Sequence, residues 1–382
     1  MPTVLQSQSL FGLLLFCAAL TACPGRPPPT VDGGMVSSTA DGGTEPEPEP
    51  EPEIPEDEQL YIQYCSHCHA TDGSGYTADN ANALANPYFL SVATDAFLAD
   101  AIRYGRPGTP MSAWGVDYGG PLTDEVVNTL VAFMRGWETT EQLEVHEEVI
   151  QGDVAAGQEL YEAQCISCHG VDGKGETAVS LTNPWFLKTA SDGFLRYAIE
   201  AGRPPTTMAA YGEDFGGLLS SENIFDLVAY LRSFEVPIEP EPLPEFEPDL
   251  TDILINPEGI EAQFTRTEDR FVAADDVYQA MENGERFILL DARPASDYLS
   301  SHIAGAVSMP FYEAPEALDH LPTDEYIITY CGCPHALSGE LFDFLQNAGY
   351  TKLGVLDEGY YYWQEQDYPI ARGRERYEDD TE

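Results

Sequence analysis

One segment of this chain occurs twice. The stretch LYIQYCSHCHATDGSG from Leu60 matches LYEAQCISCHGVDGKG from Leu160, and three further pairs follow in the same order: NPYFL with NPWFL, GRPGTPM with GRPPTTM, and LVAFMRGW with LVAYLRSF. Equivalent residues differ by 100 positions in the first pair and by 97 in the later ones, so the copies differ by a three-residue gap. An internal repeat of this length predicts two similar domains in tandem.

Each copy begins with a C-x-x-C-H motif. Two thiols on one helical turn can form thioethers with the two vinyl groups of a haem, and the following histidine can reach the iron. A C-x-x-C pair alone can also be redox-active or bind zinc. Its repetition, followed each time by a Met in a Gly/Pro-rich loop, favours haem. The predicted residues are Cys65, Cys68 and His69 in the first copy, and Cys165, Cys168 and His169 in the second.

The second axial ligand of each iron is predicted to be a methionine. Met111 lies in GRPGTPMSAWG and Met208 in GRPPTTMAAYG, loops that Pro makes rigid. Met134 competes in the first copy, but it belongs to an apolar helix and Leu231 takes its place in the second, which favours a core residue. His67, between the two cysteines, is expected to face solvent.

Both copies resemble class I c-type cytochrome domains, from the motif helix through the Met loop to the closing aromatic helix. The resemblance implies all-α domains at residues 58–137 and 151–236, joined by an acidic linker at 138–150. It also implies two covalently bound haem c groups with His/Met ligation, and electron transfer as the function.

The pattern changes after a Pro/Glu-rich linker and lead-in at residues 237–267. Apolar strands such as RFILLD, YIITY and KLGVL alternate with helical stretches such as DDVYQAMENG and ALSGELFDFLQNAG. This alternation predicts a small α/β domain with a parallel sheet at residues 268–372, followed by an acidic tail at 373–382.

This third region resembles a rhodanese-like, sulfurtransferase-type domain. The matching pieces are LLDARPASDYLSSHIAGAVSMP, IITYCGCPHALSGELFDFLQNAGY and VLDEGYYYWQEQDYPI. The resemblance places Cys331 in the nucleophile position at the end of the central strand. It implies framework roles for Asp291, Arg293 and Asp297, and a structural role for His302.

The loop after Cys331 differs from the family pattern. Backbone N–H groups between a strand end and a helix are expected to lower the pKa of Cys331 and to stabilise a persulfide. Ala336 stands where single-domain sulfurtransferases commonly carry Arg, which weakens the case for an oxyanion donor such as thiosulfate. In return the loop carries Cys333, a candidate resolving thiol, and His335, a candidate source of charge or a proton.

Two other interpretations of this loop remain open. The domain can be a module without chemistry, used for docking. Alternatively, Cys331, Cys333 and His335 can bind a metal, although three ligands within five residues need a distant fourth to complete a tetrahedron.

The N-terminus resembles a bacterial lipoprotein signal. The apolar run LFGLLLFCAAL is too short to anchor stably, and LTAC ends at Cys23, the residue that would be lipidated. No Lys or Arg precedes this run, so a simple cleaved signal peptide is the alternative. Residues 1–23 are therefore predicted as the signal and 24–57 as a disordered Pro/Glu linker. Export to the periplasmic side of a bacterial membrane follows, with the outer membrane favoured because Pro24 follows the cysteine.

The formal charge of −49 argues against a nucleic-acid partner. The negative charge either keeps the linkers solvated and the protein soluble, or complements a cationic redox partner.

The first functional hypothesis is a dihaem electron-transfer protein coupled to persulfide or thiol chemistry, with a periplasmic redox partner and a small sulfur donor or acceptor. The second is a non-enzymatic electron carrier whose third domain docks a partner.

Overall fold

The computed structural model describes residues 54–78, 81–146, 148–243, 246–332 and 335–377. These residues all belong to one compact unit. The predicted signal with Cys23, most of the first linker and the loop cysteine Cys333 lie outside the described residues.

The first repeat is all-helical. Its closing helix is capped by the Thr123 side chain, which accepts a hydrogen bond from the N–H of Val126, and two acidic residues follow in its first turn. Its helices are α1 (Glu56–Tyr64), α2 (Ser66–His69), α3 (Pro87–Leu90), α4 (Asp95–Tyr104) and α5 (Asp124–Arg135).

The second repeat has the same order of helices. Its first and last helices cross so closely that a Cβ atom at Gly157 would overlap the carbonyl oxygen of Asp226, which explains the glycine. Its helices are α6 (Val154–Gln164), α7 (Ile166–His169), α8 (Pro184–Thr189), α9 (Asp192–Ala201) and α10 (Ser221–Arg232).

The C-terminal domain alternates strands and helices. Its elements are β1 (Leu254–Ile255), β2 (Phe271–Val272), α11 (Ala274–Glu282), β3 (Phe287–Asp291), α12 (Ala295–Ser300), β4 (His302–Ile303), β5 (Val307–Ser308), α13 (Ala314–Ala317), β6 (Ile327–Tyr330), α14 (Ala336–Asn347), β7 (Leu353–Leu356), α15 (Gly359–Glu365) and β8 (Ile370–Ala371).

The main sheet has the order β1-β3-β6-β7-β2, and β5 also pairs with β3. All of its pairs are parallel except β1 with β3. The predicted class, two all-α domains followed by a mostly parallel α/β domain, is confirmed. The short edge strand β1 lies in the stretch that the sequence assigns to a lead-in.

Aromatic residues join the three domains. Phe97 of the first repeat and Phe194 of the second have ring centroids 4.8 Å apart. On another side of the first repeat, Phe311 and Tyr312 of the α/β domain lie 6.4 and 6.3 Å from Trp114. Within the described ranges, none of the helices has the length and apolar character needed to cross a bilayer.

Candidate haem sites and thiol loop

The first C-x-x-C-H motif lines a pocket together with the predicted methionine. Helix α2 carries Cys68 and ends at His69, and the loop after α4 brings Met111 to the same cavity. The residues lining this first haem pocket are Tyr64, Cys65, His67, Cys68, His69, Ile102, Pro110, Met111, Trp114 and Leu337. The motif and the Met loop, more than 40 residues apart in the chain, thus meet at one site.

The histidine of each motif is oriented by a backbone carbonyl. The Nδ1 atom of His69 lies 2.8 Å from the carbonyl oxygen of Asn82, and Nδ1 of His169 lies 2.9 Å from that of Val179. A hydrogen bond at Nδ1 leaves Nε2 as the atom available to a metal. Burial also lowers the pKa of both imidazoles, which favours the neutral ring that a ligand needs.

A tyrosine on the preceding helix holds the turn after each histidine. The hydroxyl of Tyr61 donates to the carbonyl oxygen of Ala70 at 2.9 Å, and that of Tyr161 donates to Gly170 at 2.8 Å. Ala70 has a φ of 63° and Gly170 one of 73°, so the chain turns sharply there in both repeats. The motif helix is thereby fixed against the core.

The thiols of the motifs lie in low-polarity surroundings. Burial raises the pKa of Cys65 to about 12 and that of Cys165 to about 11. Redox-active thiols have lowered pKa values in electropositive settings, so these two are poorly suited to that role. None of the four motif cysteines is in a disulfide. Thiols that become thioethers need no such activation, and the residues present fit covalently bound haem.

Equivalent backbone hydrogen bonds close the two Met loops. The N–H of Arg106 donates to the carbonyl oxygen of Met111 at 2.7 Å, and that of Arg203 donates to Met208 at 2.8 Å. By contrast, Met134 is 3% exposed within the helical core of α5. The structure therefore brings Met111, and not Met134, to the first haem pocket.

Cys331 follows β6 directly and is 1% exposed. Its Sγ atom accepts a hydrogen bond from the Ser338 hydroxyl at 3.3 Å, and its carbonyl oxygen accepts one from the N–H of Tyr360 at 2.9 Å. A hydroxyl donor at this distance can stabilise a thiolate or a persulfide. The predicted position of Cys331 at the strand end, before a helix, matches the structure.

His335 precedes α14 in a left-handed conformation, with a φ of 73°. Its Nε2 atom lies 2.8 Å from Oδ1 of Asp357, and its ring stacks on Phe271 with centroids 3.9 Å apart. The carboxylate and the aromatic ring fix the orientation of the imidazole. Cys333, between Cys331 and His335, lies outside the described residues, so its predicted role stays a prediction.

The framework residues form a buried ion pair behind the loop. Arg293 donates to both carboxylate oxygens of Asp291, and the Tyr330 hydroxyl donates to Asp291 at 2.8 Å. A Cβ atom at Gly332 would lie 3.6 Å from Cδ of Arg293. Because the guanidinium is bound to Asp291 and to the carbonyl of Ser301, it does not replace the arginine that the loop lacks.

Sequence reasoning missed how the α/β domain contributes to the first haem pocket. Leu337, in the first turn of α14, lines that pocket. The expectation that His67 faces solvent is wrong, because this residue lines the pocket and its Nδ1 atom lies 3.6 Å from Oε1 of Glu340, one turn further along α14. Asp297 of α12 lies beside Ser112, which follows Met111. The sequence signal that could have indicated this interface is the pair of adjacent aromatic residues in MPFYEAP, which lie in a loop.

Two family models match parts of this chain. The family model described as cytochrome c oxidase, cbb3-type, subunit III matches residues 52–134 and 152–231. The model of the rhodanese-like domain matches residues 273–366. The chain joins c-type cytochrome domains to a rhodanese-like domain. Cytochrome domains of this type imply covalently bound haem and electron transfer, and rhodanese-like domains are related to sulfurtransferases.

Individual relatives match only portions of the chain. An HTH-type transcriptional regulator of Mycobacterium tuberculosis is 30% identical over 107 residues, which are 28% of this chain and 46% of the regulator. The chain thus spans about half the length of that relative. A rhodanese-related protein from Thermoplasma volcanium is 24% identical over 27% of this chain and 97% of its own, with a TM-score of 0.24. A thiosulfate sulfurtransferase from Pseudomonas aeruginosa is 22% identical over 27% of this chain and 20% of its own, with a TM-score of 0.26.

Proposed function

We propose that this protein is an exported dihaem electron-transfer protein in which thiol or persulfide chemistry at the Cys331 loop is coupled to the first haem site. The observation that supports the coupling is the double role of α14. Its first turn carries Leu337, which lines the first haem pocket, and Ser338, whose hydroxyl lies 3.3 Å from Sγ of Cys331.

Apolar side chains pack across the contact between the rhodanese-like and first cytochrome domains. Leu337 is buried, and Phe311 packs at 6.4 Å from both Tyr64 and Trp114. Apolar burial of this kind contributes roughly 1.5–3 kcal/mol per large side chain. The thiol loop is therefore held beside the first cytochrome domain instead of being tethered through a linker.

The loop chemistry has two steps. The Cys331 thiolate attacks the outer sulfur of a donor R–S–S⁻; a new S–S bond forms on Cys331, the donor S–S bond breaks, and RS⁻ leaves. The Cys333 thiol then attacks the sulfur of Cys331, so that an intramolecular disulfide forms and HS⁻ leaves. His335, oriented by Asp357, is placed to handle the proton.

The electron count suits two haem sites. Run in reverse, the steps start from the disulfide: HS⁻ attacks Sγ of Cys331, the disulfide bond breaks with Cys333 as the leaving thiolate, and RS⁻ then takes the outer sulfur as R–S–S⁻. This direction leaves the dithiol, whose oxidation back to the disulfide releases two electrons and two protons. A bound haem would supply a one-electron centre at each repeat. Two haems together therefore match the two electrons of the Cys331–Cys333 dithiol/disulfide couple. The chain's contribution is to hold the loop, the motif helix and the Met loop in contact.

The second repeat leaves uncovered the face that the rhodanese-like domain covers on the first. A Cβ atom at Gly119 would lie 2.7 Å from the backbone nitrogen of Ser296, whereas one at the equivalent Gly216 would meet nothing within 4 Å. Leu218, in the same loop, is 92% exposed, and Cys168 is exposed. We assign this face to a periplasmic redox partner with a basic rim, complementary to the acidic chain.

A second candidate function has its own supporting observation. Cys331 is 1% exposed, and a buried thiol is poorly accessible to a sulfur donor. In this alternative the rhodanese-like domain performs no chemistry and only covers the first haem site, while the cytochrome domains carry electrons.

Export and lipid anchoring are part of the proposal. They are supported by the apolar segment ending in LTAC at Cys23 and by the two c-type motifs. Residues 24–57 would then space the described domains from the membrane.

The test compares the parent with Cys331→Ser under anaerobic conditions. Sodium sulfide and glutathione are added to the oxidised protein, and haem reduction is followed by visible absorption. The coupled function predicts that Cys331→Ser slows haem reduction about tenfold or more. A tenfold loss of rate corresponds to an activation barrier higher by roughly 1.4 kcal/mol. Asn283→Ser, at an exposed position of the same domain, is the control. Equal rates in all three proteins would favour the covering role.

A further inference from the structure

The first turn of α14 places a hydroxyl group at the thiol of Cys331. The Ser338 hydroxyl donates to Sγ of Cys331 at 3.3 Å. Both side chains are withdrawn from solvent, since Ser338 is fully buried and Cys331 is 1% exposed. The two steps proposed for the loop use Cys331, Cys333 and His335, and leave this hydroxyl without a role.

The strand that carries the thiol also holds the hydroxyl in place. Thr329 lies two residues before Cys331 in β6, and its hydroxyl donates to the carbonyl oxygen of Ser338 at 2.9 Å. Thr329 is fully buried as well. The distance between the Ser338 hydroxyl and Sγ is therefore fixed by a second contact between the same strand and the same helix.

Basic side chains near this turn already have carboxylate partners in the described structure. Two of them are guanidinium groups: a Cβ atom at Gly332 would lie 3.6 Å from Cδ of Arg293, and one at Gly339 would lie 3.7 Å from Nη1 of Arg270. Where these groups carry a positive charge, a neighbouring carboxylate balances it. The pairs are Arg293 with Asp291, Arg270 with Asp343, His335 with Asp357, and His67 with Glu340.

A thiolate at Cys331 therefore depends on hydrogen-bond donors, because burial alone disfavours the charged form. The sulfur of a thiol is a weak acceptor, whereas a hydrogen bond to a thiolate is charge-assisted. The same hydroxyl thus stabilises the thiolate more than the thiol. We propose that Ser338 is a catalytic residue of this loop, which stabilises the sulfur of Cys331 as a thiolate each time that sulfur attacks or leaves. This assignment rests on the proposed persulfide chemistry.

The assignment distinguishes the two steps of the loop. Transfer of sulfur from R–S–S⁻ begins with the Cys331 thiolate, and in the reverse direction RS⁻ takes the outer sulfur while this thiolate leaves. In the other step HS⁻ attacks Sγ of Cys331, the Cys331–Cys333 bond breaks, and the electron pair goes to Cys333. Loss of the Ser338 hydroxyl should slow the first step and leave the second nearly unchanged.

The first test is the pH dependence of alkylation of Cys331 by iodoacetamide. The reduced holoprotein carries Cys333→Ser, so that one loop thiol remains, and peptide mass spectrometry follows the reaction. Ser338→Ala should raise the midpoint pH by about one unit, which lowers the alkylation rate at neutral pH roughly tenfold. Ser308→Ala is the matched control and should not move the midpoint, because Ser308 is 2% exposed and its hydroxyl has no hydrogen-bond partner among the described residues.

The second test measures the two steps separately in Ser338→Ala. Loading of Cys331 from glutathione persulfide, in the Cys333→Ser background, should be about tenfold slower because the thiolate fraction falls by that factor. Cleavage of the Cys331–Cys333 disulfide by sodium sulfide, with Cys333 present, should change less than about twofold because Cys333 is the leaving thiolate. Mass spectrometry at short times gives both rates.

Other outcomes overturn the assignment. Equal alkylation midpoints in Ser338→Ala and Ser308→Ala would refute it, and equal slowing of both steps would show a packing defect in α14 instead. If Ser338→Ala does not fold, the parent decides: a midpoint below the ordinary thiol value of about 8.5 would support the assignment, and one above it would refute it. A parent in which Cys331 is neither alkylated nor loaded with sulfur at any pH would instead refute the proposed function.

Discussion

The hydroxyl of Ser338 lies 3.3 Å from the Sγ atom of Cys331, and the neighbouring Leu337 lines the first haem pocket. One helical turn therefore contacts both the thiol loop and the cytochrome motif. Substitutions in this turn should separate the chemistry of the loop from the integrity of the haem site.

The two loop thiols should have different roles. Cys331→Ser should abolish sulfur loading, because the nucleophile at the strand end is gone. Cys333→Ser should still load sulfur at Cys331 but stop there, since no resolving thiol remains. Mass spectrometry after brief polysulfide exposure should show one added sulfur atom on Cys333→Ser alone. Sulfur on Cys333 in the Cys331→Ser protein would reverse the roles, and sulfur on neither would favour the covering role.

Leu337→Ala should destabilise the contact between the rhodanese-like and first cytochrome domains. The side chain is 7% exposed, and removing it should cost about 2–5 kcal/mol of unfolding free energy. Leu218→Ala is a matched control at a 92% exposed position and should change the unfolding free energy by about 0.5 kcal/mol or less. Chemical denaturation followed by absorption and circular dichroism measures both. A small effect at both positions would mean that Leu337 contributes little to the contact.

The mature protein should carry two c-type haems per chain. Replacing Cys65 and Cys68 together with Ser, or Cys165 and Cys168 together, should remove one haem each time, because each pair forms its own thioethers. Pyridine haemochrome spectra against protein concentration give the count. A single haem in the parent protein would contradict the duplicated site.

Axial ligation can be tested at each Met loop. Met111→His or Met208→His should lower the potential of that haem and abolish its weak near-infrared methionine-to-iron band, because two histidines favour the oxidised iron. Met134→Leu is the control: it introduces the residue found at Leu231 in the second repeat and should cost less than about 1.5 kcal/mol. Loss of the band in Met134→Leu, with none in Met111→His, would reverse the assignment.

The anchor prediction concerns Cys23. Cys23→Ser should be exported but lose fatty-acid labelling and membrane association, since a lipidated cysteine needs its thiol. Fractionation of cells grown with labelled palmitate measures both. Unchanged membrane association would indicate another anchor or a membrane-bound partner.

The sequence predicted those parts of the molecule that short-range chemistry determines. The repeated motif and its Met loop are local patterns, and the structure brings His69 and Met111 to one pocket. The strands β3, β6 and β7 are apolar runs buried on both faces, so their alternation with helices was visible.

The sequence did not predict features that depend on contacts between distant segments. Leu337 belongs to an amphipathic helix in which any apolar residue can be core, so nothing marks it as a haem-pocket residue. The strand β1 has two residues and no readable periodicity. The pairing of His335 with Asp357 depends on the sheet order, which brings the ends of β6 and β7 together.

The two cytochrome domains are joined by reciprocal hydrogen bonds, one donated by each repeat to the other. The side chain of Asn86 donates to the carbonyl oxygen of Pro204 at 2.9 Å, and Asn183 donates to that of Pro107 at 2.9 Å. Equivalent residues thus exchange equivalent hydrogen bonds, which is the rule for a two-fold symmetric homodimer. The tandem has the form of such a dimer contained in one chain, so one half carries an attached domain while the equivalent surface of the other half stays exposed.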